Sequence, residues 1–104
     1  MLFVLLASHT AETCPESNSK TRDLMMKNAP EMPNLAKRTG VRFVAGPLVN
    51  REHLVVIVVE ADKAESVDQF IAQSRMSQWN SVRVIPSVTI EEGMKELSTM
   101  KTIF

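Results

Sequence analysis

His9, Cys14 and His53 are both histidines and the only cysteine of a 104-residue chain. As metal ligands they offer imidazole, thiolate and imidazole, a donor set that suits zinc or copper and leaves a coordination position for water or substrate. As a nucleophile, Cys14 precedes Pro15 and a serine-rich helix start, so a helix N-terminus and His9 would stabilise its thiolate. As bases, histidines are the side chains most suited to proton transfer near neutral pH. The inert alternative is a pair of strand-ending histidines and a thiol that acts as a small buried or loop hydrophobe. The spacing matches no standard finger or catalytic motif, so these readings stay open.

Those residues depend on the elements that carry them. Residues 2 to 8 are almost all apolar and read as a strand covered on both faces, ended by His9-Thr10. A helix can start at Ser17 or Ser19, with Leu24, Met25 and Asn28 on one side, and Pro30 and Pro33 must break it. A second piece with Met32, Leu35 and Ala36 then runs to Arg38, and Gly40 can close it in the left-handed conformation. Val41 to Val49 alternates as a strand until Gly46-Pro47, which predicts a bulge or an edge position. Asn50-Arg51-Glu52 is a compact polar turn, and His53 opens the β-branched run Leu54 to Val59, which belongs at the centre of a sheet.

Asp62 and Glu65 have capping-box spacing, so the next helix is expected there, with Ala64, Val67, Phe70 and Ile71 on its buried stripe. Val82, Val84, Val88 and Ile90 mark a last strand, placed at an edge by Pro86. Thr89 and Glu92 can cap a short final helix with Met94 and Leu97 inward.

The order is β-α-β-β-α-β, two right-handed crossovers joined by a hairpin. This predicts one α+β, ferredoxin-like domain over residues 1-104, with an antiparallel sheet in the order 4-1-3-2 and helices on one face. The first and third strands are then central, and the proline-containing second and fourth are edges. Strands one and two run opposite to three and four, so the end of the first strand shares a rim with the starts of the third and fourth. That rim gathers His9, Cys14 and His53 with Trp79, and with Arg51 and Arg75 as candidate ligand-binding groups. Trp79 can be a ligand platform or a core lid, and Arg51-Glu52 and Lys37-Arg38 are most simply solvated turn and helix-end charges.

Helices on one face leave the other open, and the third strand is apolar on both: Leu54, Val56 and Val58 one way, Val55, Ile57 and Val59 the other. A bare apolar sheet of that size exceeds what a monomer normally exposes, so pairing of two sheets about a two-fold axis is expected. The partner is a second copy, as a homodimer or a higher oligomer of dimers.

Met1-Leu2-Phe3-Val4, Val59-Glu60-Ala61-Asp62 and Val84-Ile85-Pro86-Ser87-Val88 carry a resemblance to the dimeric α+β barrel superfamily, and within it to small single-domain members. That superfamily includes cofactor-free monooxygenases, muconolactone isomerase-like enzymes, haem-degrading proteins and stress-induced dimers. The resemblance implies the fold and the dimer. No catalytic motif of those relatives is present to transfer, and fold does not fix function.

Bulk properties bound the rest. Twelve basic residues balance twelve acidic ones, so no net field draws the chain to nucleic acid or an anionic membrane. The chain has no tyrosine, and Phe3, Phe43, Phe70 and Phe104 lie outside any basic stripe, which disfavours base stacking. Three glycines form no phosphate-cradling loop, and the seven methionines form no cluster. The opening apolar run lacks a basic flank and is read as a strand, not a signal peptide. A lone cysteine and no membrane-length run point to a cytoplasmic protein.

The expectation is a small-molecule enzyme or binding protein with an apolar pocket near the His9/His53 rim. The alternatives are a metal- or redox-responsive protein using Cys14 with His9 and His53, and a structural dimer without catalysis. The sequence names no cofactor and does not decide whether catalysis occurs.

Overall fold

A computed structural model describes residues 1–104. Strand β1 (Leu2–Ser8) is followed by helix α1 (Ser19–Asn28), a 3-10 turn (Ala29–Glu31) and helix α2 (Met32–Thr39). Strands β2 (Val41–Leu48) and β3 (Leu54–Ala61) form the hairpin; helix α3 (Ala64–Gln73), a second 3-10 turn (Met76–Gln78), strand β4 (Ser81–Ser87) and helix α4 (Ile90–Thr99) complete the chain. The prolines act as their chemistry requires. Pro30 falls in the 3-10 turn and Pro33 in the first turn of α2, where a missing N–H costs nothing, so the first helical region is two segments. Gly40 closes α2 with φ +81°, the left-handed conformation expected of it.

All strand pairs are antiparallel, and the sheet order is β2-β3-β1-β4, which is 4-1-3-2 counted from the opposite edge. The fold is thus a small α+β domain with a four-stranded antiparallel sheet, compatible with a ferredoxin-like arrangement. Register shifts interrupt the β2–β3 ladder between Phe43 and Leu48. Gly46 lies within them at φ +80°, and a Cβ there would collide with the Val56 carbonyl oxygen. Only glycine fits so close a backbone approach.

One face of the sheet holds the core. Phe3, Leu5 and Ala7 of β1 and Ile57, Val59 and Ala61 of β3 are buried against Leu35 and Ala36 of α2 and Val67, Phe70 and Ile71 of α3. The alternate residues Leu2, Val4, Leu6, Leu54, Val56, Val58 and Ile85 face the other way and are only half-buried. At that face's edge Arg42 donates to Glu60 at 2.8 Å and holds its carboxyl below the usual carboxylate range, by that hydrogen bond first and by charge second.

Three expectations fail. The last strand stops at Ser87, so Val88 lies outside it and Ile90 opens α4 behind the Thr89 cap. The helix over 64–73 is capped by Lys63, with no side-chain cap bond, and not by Asp62. Starting one residue later puts Glu65 at the second helical position, where it cannot complete a box. Met94 and Leu97 do not point inward: with Ile90 they are 62%, 67% and 72% exposed, and α4 buries no residue. Its start is nonetheless as expected, because Thr89 accepts from the Glu92 N–H at 3.2 Å. No helix is long and apolar enough to cross a membrane.

Candidate functional site

Strand register dictates who meets His9. Ser8 pairs with Leu54 on one side and with Ser81 on the other, so the next residue out, His9, lies between His53 and Asn80. The His9 N–H donates to the His53 carbonyl at 3.1 Å, extending the ladder by one rung. The two imidazoles meet edge to face with centroids 5.4 Å apart, and Trp79 lies against His9 at 5.1 Å.

His53 itself adopts φ +56°, a left-handed backbone that a non-glycine residue rarely takes. The turn before it supplies the constraint. The Asn50 side chain accepts from the Glu52 and Leu54 N–H groups at 3.0 and 3.4 Å and donates to the Leu54 carbonyl at 2.7 Å.

Cys14 reaches the same place from the loop between β1 and α1. That loop is tied down by its own polar side chains. Asn18 caps α1 by accepting from the Thr21 N–H at 3.1 Å and donates back to the Glu12 carbonyl at 3.0 Å. Arg22 donates to the carbonyls of Pro15 and Glu16 at 2.8 and 2.7 Å. The Cys14 carbonyl accepts from the Ser17 and Asn18 N–H groups. Cys14 is 7% exposed yet stands outside the hydrophobic core cluster. Its sulfur and one ring nitrogen from each histidine lie within 4.8 Å of one another.

Asn80 is the site residue that composition did not reveal. It is buried, its amide nitrogen donates to the Met76 carbonyl at 3.0 Å, and its amide oxygen faces His9 Nδ1 at 3.0 Å. With the nitrogen so committed, the network assigns the proton to His9 Nδ1 and leaves Nε2 with a free lone pair. The β1–β4 register was the available signal, since residue 80 must stand opposite residue 9 whenever residue 81 pairs with residue 8.

Beside this cluster lies a cavity of about 400 Å³. Leu24, Met25 and Met32 close it on the helix side, and Phe43, Val55 and Ile57 on the sheet side. Trp79 and Asn80 belong to both features, lining the cavity and touching His9. Arg51 and Arg75 are exposed and line no part of it. Arg75 instead turns the chain out of α3 with φ +63°.

Asn80→Leu is expected to keep the fold while lowering stability by about 1–3 kcal/mol, because His9 Nδ1 loses its partner and the Met76 carbonyl, which keeps the backbone N–H of residue 80 at 3.0 Å, loses its side-chain donor. Urea unfolding checks the size, and the His9 ring resonances in NMR check the cause. Unmoved His9 signals would sink the assigned contact.

No family model matches the chain, and comparisons with curated proteins and with solved structures find no match either.

Proposed function

We propose that this domain binds a small, predominantly apolar molecule between its sheet and helices α1 and α2, and presents the molecule's polar end to the His9 rim. The cavity carries this reading: about 400 Å³ lies within the range of ligand sites, and its walls are mainly apolar with a few amides and a hydroxyl. An apolar body would be held by burial against Met25, Met32 and Phe43. Asn80 and Trp79, at the junction with His9, are the groups placed to set its orientation. If the bound molecule is transformed, His9 Nε2 is the base the hydrogen-bond network favours, because Nδ1 is already committed to Asn80.

The domain's partner, in the same proposal, is a second copy packed against the open sheet face. Support comes from Leu2, Val4, Leu6, Leu54, Val56, Val58 and Ile85, which together make a contiguous apolar surface that this chain leaves half-covered. Such a pairing is what the dimeric α+β barrel resemblance implies.

Trp79 provides the test of binding. It is the only tryptophan in a chain without tyrosine, so intrinsic fluorescence reports this site alone. Titration with monocyclic aromatic and medium-chain aliphatic compounds is expected to change that emission saturably, and Val55→Phe, which fills the cavity, is expected to abolish the response. A flat emission up to millimolar ligand, or an equal response from a folded Val55→Phe protein, would defeat the reading.

A further inference from the structure

We propose that His9, Cys14 and His53 form a mononuclear centre for a zinc-class divalent cation, with one coordination position left to solvent or ligand. This goes beyond the cavity reading and stands without it; with the ion bound, His9 Nε2 is a ligand, and its role as a base belongs to the metal-free protein alone. Three donors from separate parts of the chain converge: the end of β1, the β1–α1 loop and the start of β3. Their ligand atoms lie within 4.8 Å of one another. A tetrahedral ion with bonds of about 2.0–2.3 Å holds its donors roughly 3.5 Å apart. The site therefore needs a contraction of about 1 Å, within reach of side-chain torsions at Cys14 and His53.

Orientation is the second argument. Ligating histidines nearly always donate their other ring N–H to an oxygen that fixes the tautomer. His9 Nδ1 donates in this way to Asn80 Oδ1, at 3.0 Å, on an amide whose nitrogen in turn donates to the Met76 carbonyl. The remaining nitrogen, Nε2, makes no hydrogen bond and has the lone pair a metal requires.

The thiol supplies the third. A cysteine serving as a small hydrophobe would sit among the apolar side chains of the core. Cys14 is buried outside that cluster, makes no side-chain hydrogen bond, and lies beside two imidazoles. Its loop is preorganised by the Asn18 and Arg22 hydrogen bonds, and His53 is held by the Asn50 turn, so little ordering remains for the ion to impose. A nitrogen–sulfur–nitrogen donor set excludes magnesium and calcium, which take oxygen ligands, and suits zinc and its spectroscopic substitute cobalt.

Cobalt(II) added to the metal-free full-length protein is expected to bind at one equivalent, with a thiolate-to-cobalt charge-transfer band and tetrahedral visible absorption, and zinc is expected to displace it. One proton leaves the thiol as the metal–sulfur bond forms, so unbuffered protein should acidify on loading. Cys14→Ser should erase the charge-transfer band, and His9→Ala and His53→Ala should each weaken zinc binding by at least about a hundredfold, more than the loss expected from a mere supporting residue. Circular dichroism establishes that each variant is folded.

Should a variant not fold, the unaltered chain still decides the matter. Cys14 is its only cysteine, so zinc must slow alkylation of the protein and a chelator must restore it. Absence of a charge-transfer band at equimolar cobalt, alkylation indifferent to zinc, or binding of copper without cobalt or zinc would each overturn the assignment.

Discussion

Ile57→Asp is expected to leave no cooperatively folded protein, while Val56→Asp, one residue earlier on the same strand, gives a folded single chain. The difference follows from the pleat, which sends successive side chains to opposite faces. Ile57 has no exposed surface and pairs with Leu5, also fully buried, at the centre of the helix-covered face. A carboxylate there would be buried without a partner, at a cost of several kcal/mol, with the lost aliphatic burial added to it. A domain of this size has about 5–15 kcal/mol of stability in total, so the two losses together remove most or all of it.

Val56 points to the open face beside Leu6 and is half-exposed in the single chain, so its carboxylate keeps access to water there. In a face-to-face dimer the same carboxylate would be sealed between two apolar sheets. Thermal melts and light scattering separate the two effects. The unaltered chain should scatter as a particle of twice 11.6 kDa at micromolar concentration, and Val56→Asp as one chain with a cooperative melt. A single-chain mass for the unaltered protein removes the dimer, and a native melt for Ile57→Asp would mean that the faces are assigned the wrong way round.

What made these positions legible was local chemistry that has one structural outcome. The run Leu54 to Val59 reads as a central strand because β-branched side chains suit a pleated surface on both faces. Pro86 and the Gly46-Pro47 pair assign the edges because a central strand needs the N–H that proline lacks. Once those four strands are ordered, the meeting of His9 with His53 follows from direction alone, and the 5.4 Å between their rings is its consequence.

The misses have a common physical origin: they depend on what lies next to a residue in space. The α4 stripe of Ile90, Met94 and Leu97 states which face is apolar, but amphipathicity does not supply a surface to cover it. Asp62 has the right chemistry for a cap and loses the position by one residue, since the turn out of β3 ends at Lys63. Asn80 carries no signal in its type. Its role exists only because the β1–β4 register sets it opposite His9 and the 3-10 turn brings the Met76 carbonyl to its other side. Arg51 and Arg75 share the rim by sequence position, yet exposed side chains at a rim need not face its cavity.

Phe70→Ala is expected to cost about 3–5 kcal/mol, the range for deleting a fully buried aromatic ring, and to loosen the cavity as it does so. Phe70 has no exposed surface and lies on the inward stripe of α3, between Val67 and Ile71. Its ring meets that of Phe43 edge to face at 5.6 Å, and Phe43 forms part of the cavity wall. Removing it therefore deletes core packing, takes away an aromatic pair, and leaves Phe43 free to tilt into the space behind it. Urea unfolding should show the midpoint falling with an unchanged slope, since the surface exposed on unfolding hardly differs. Ligands that perturb Trp79 emission in the unaltered protein should bind the variant more weakly, because their wall has moved. A loss below about 1 kcal/mol would show that α3 does not pack its Phe70 face on the sheet. Full stability loss with undiminished ligand response would show that the cavity wall does not depend on this ring pair.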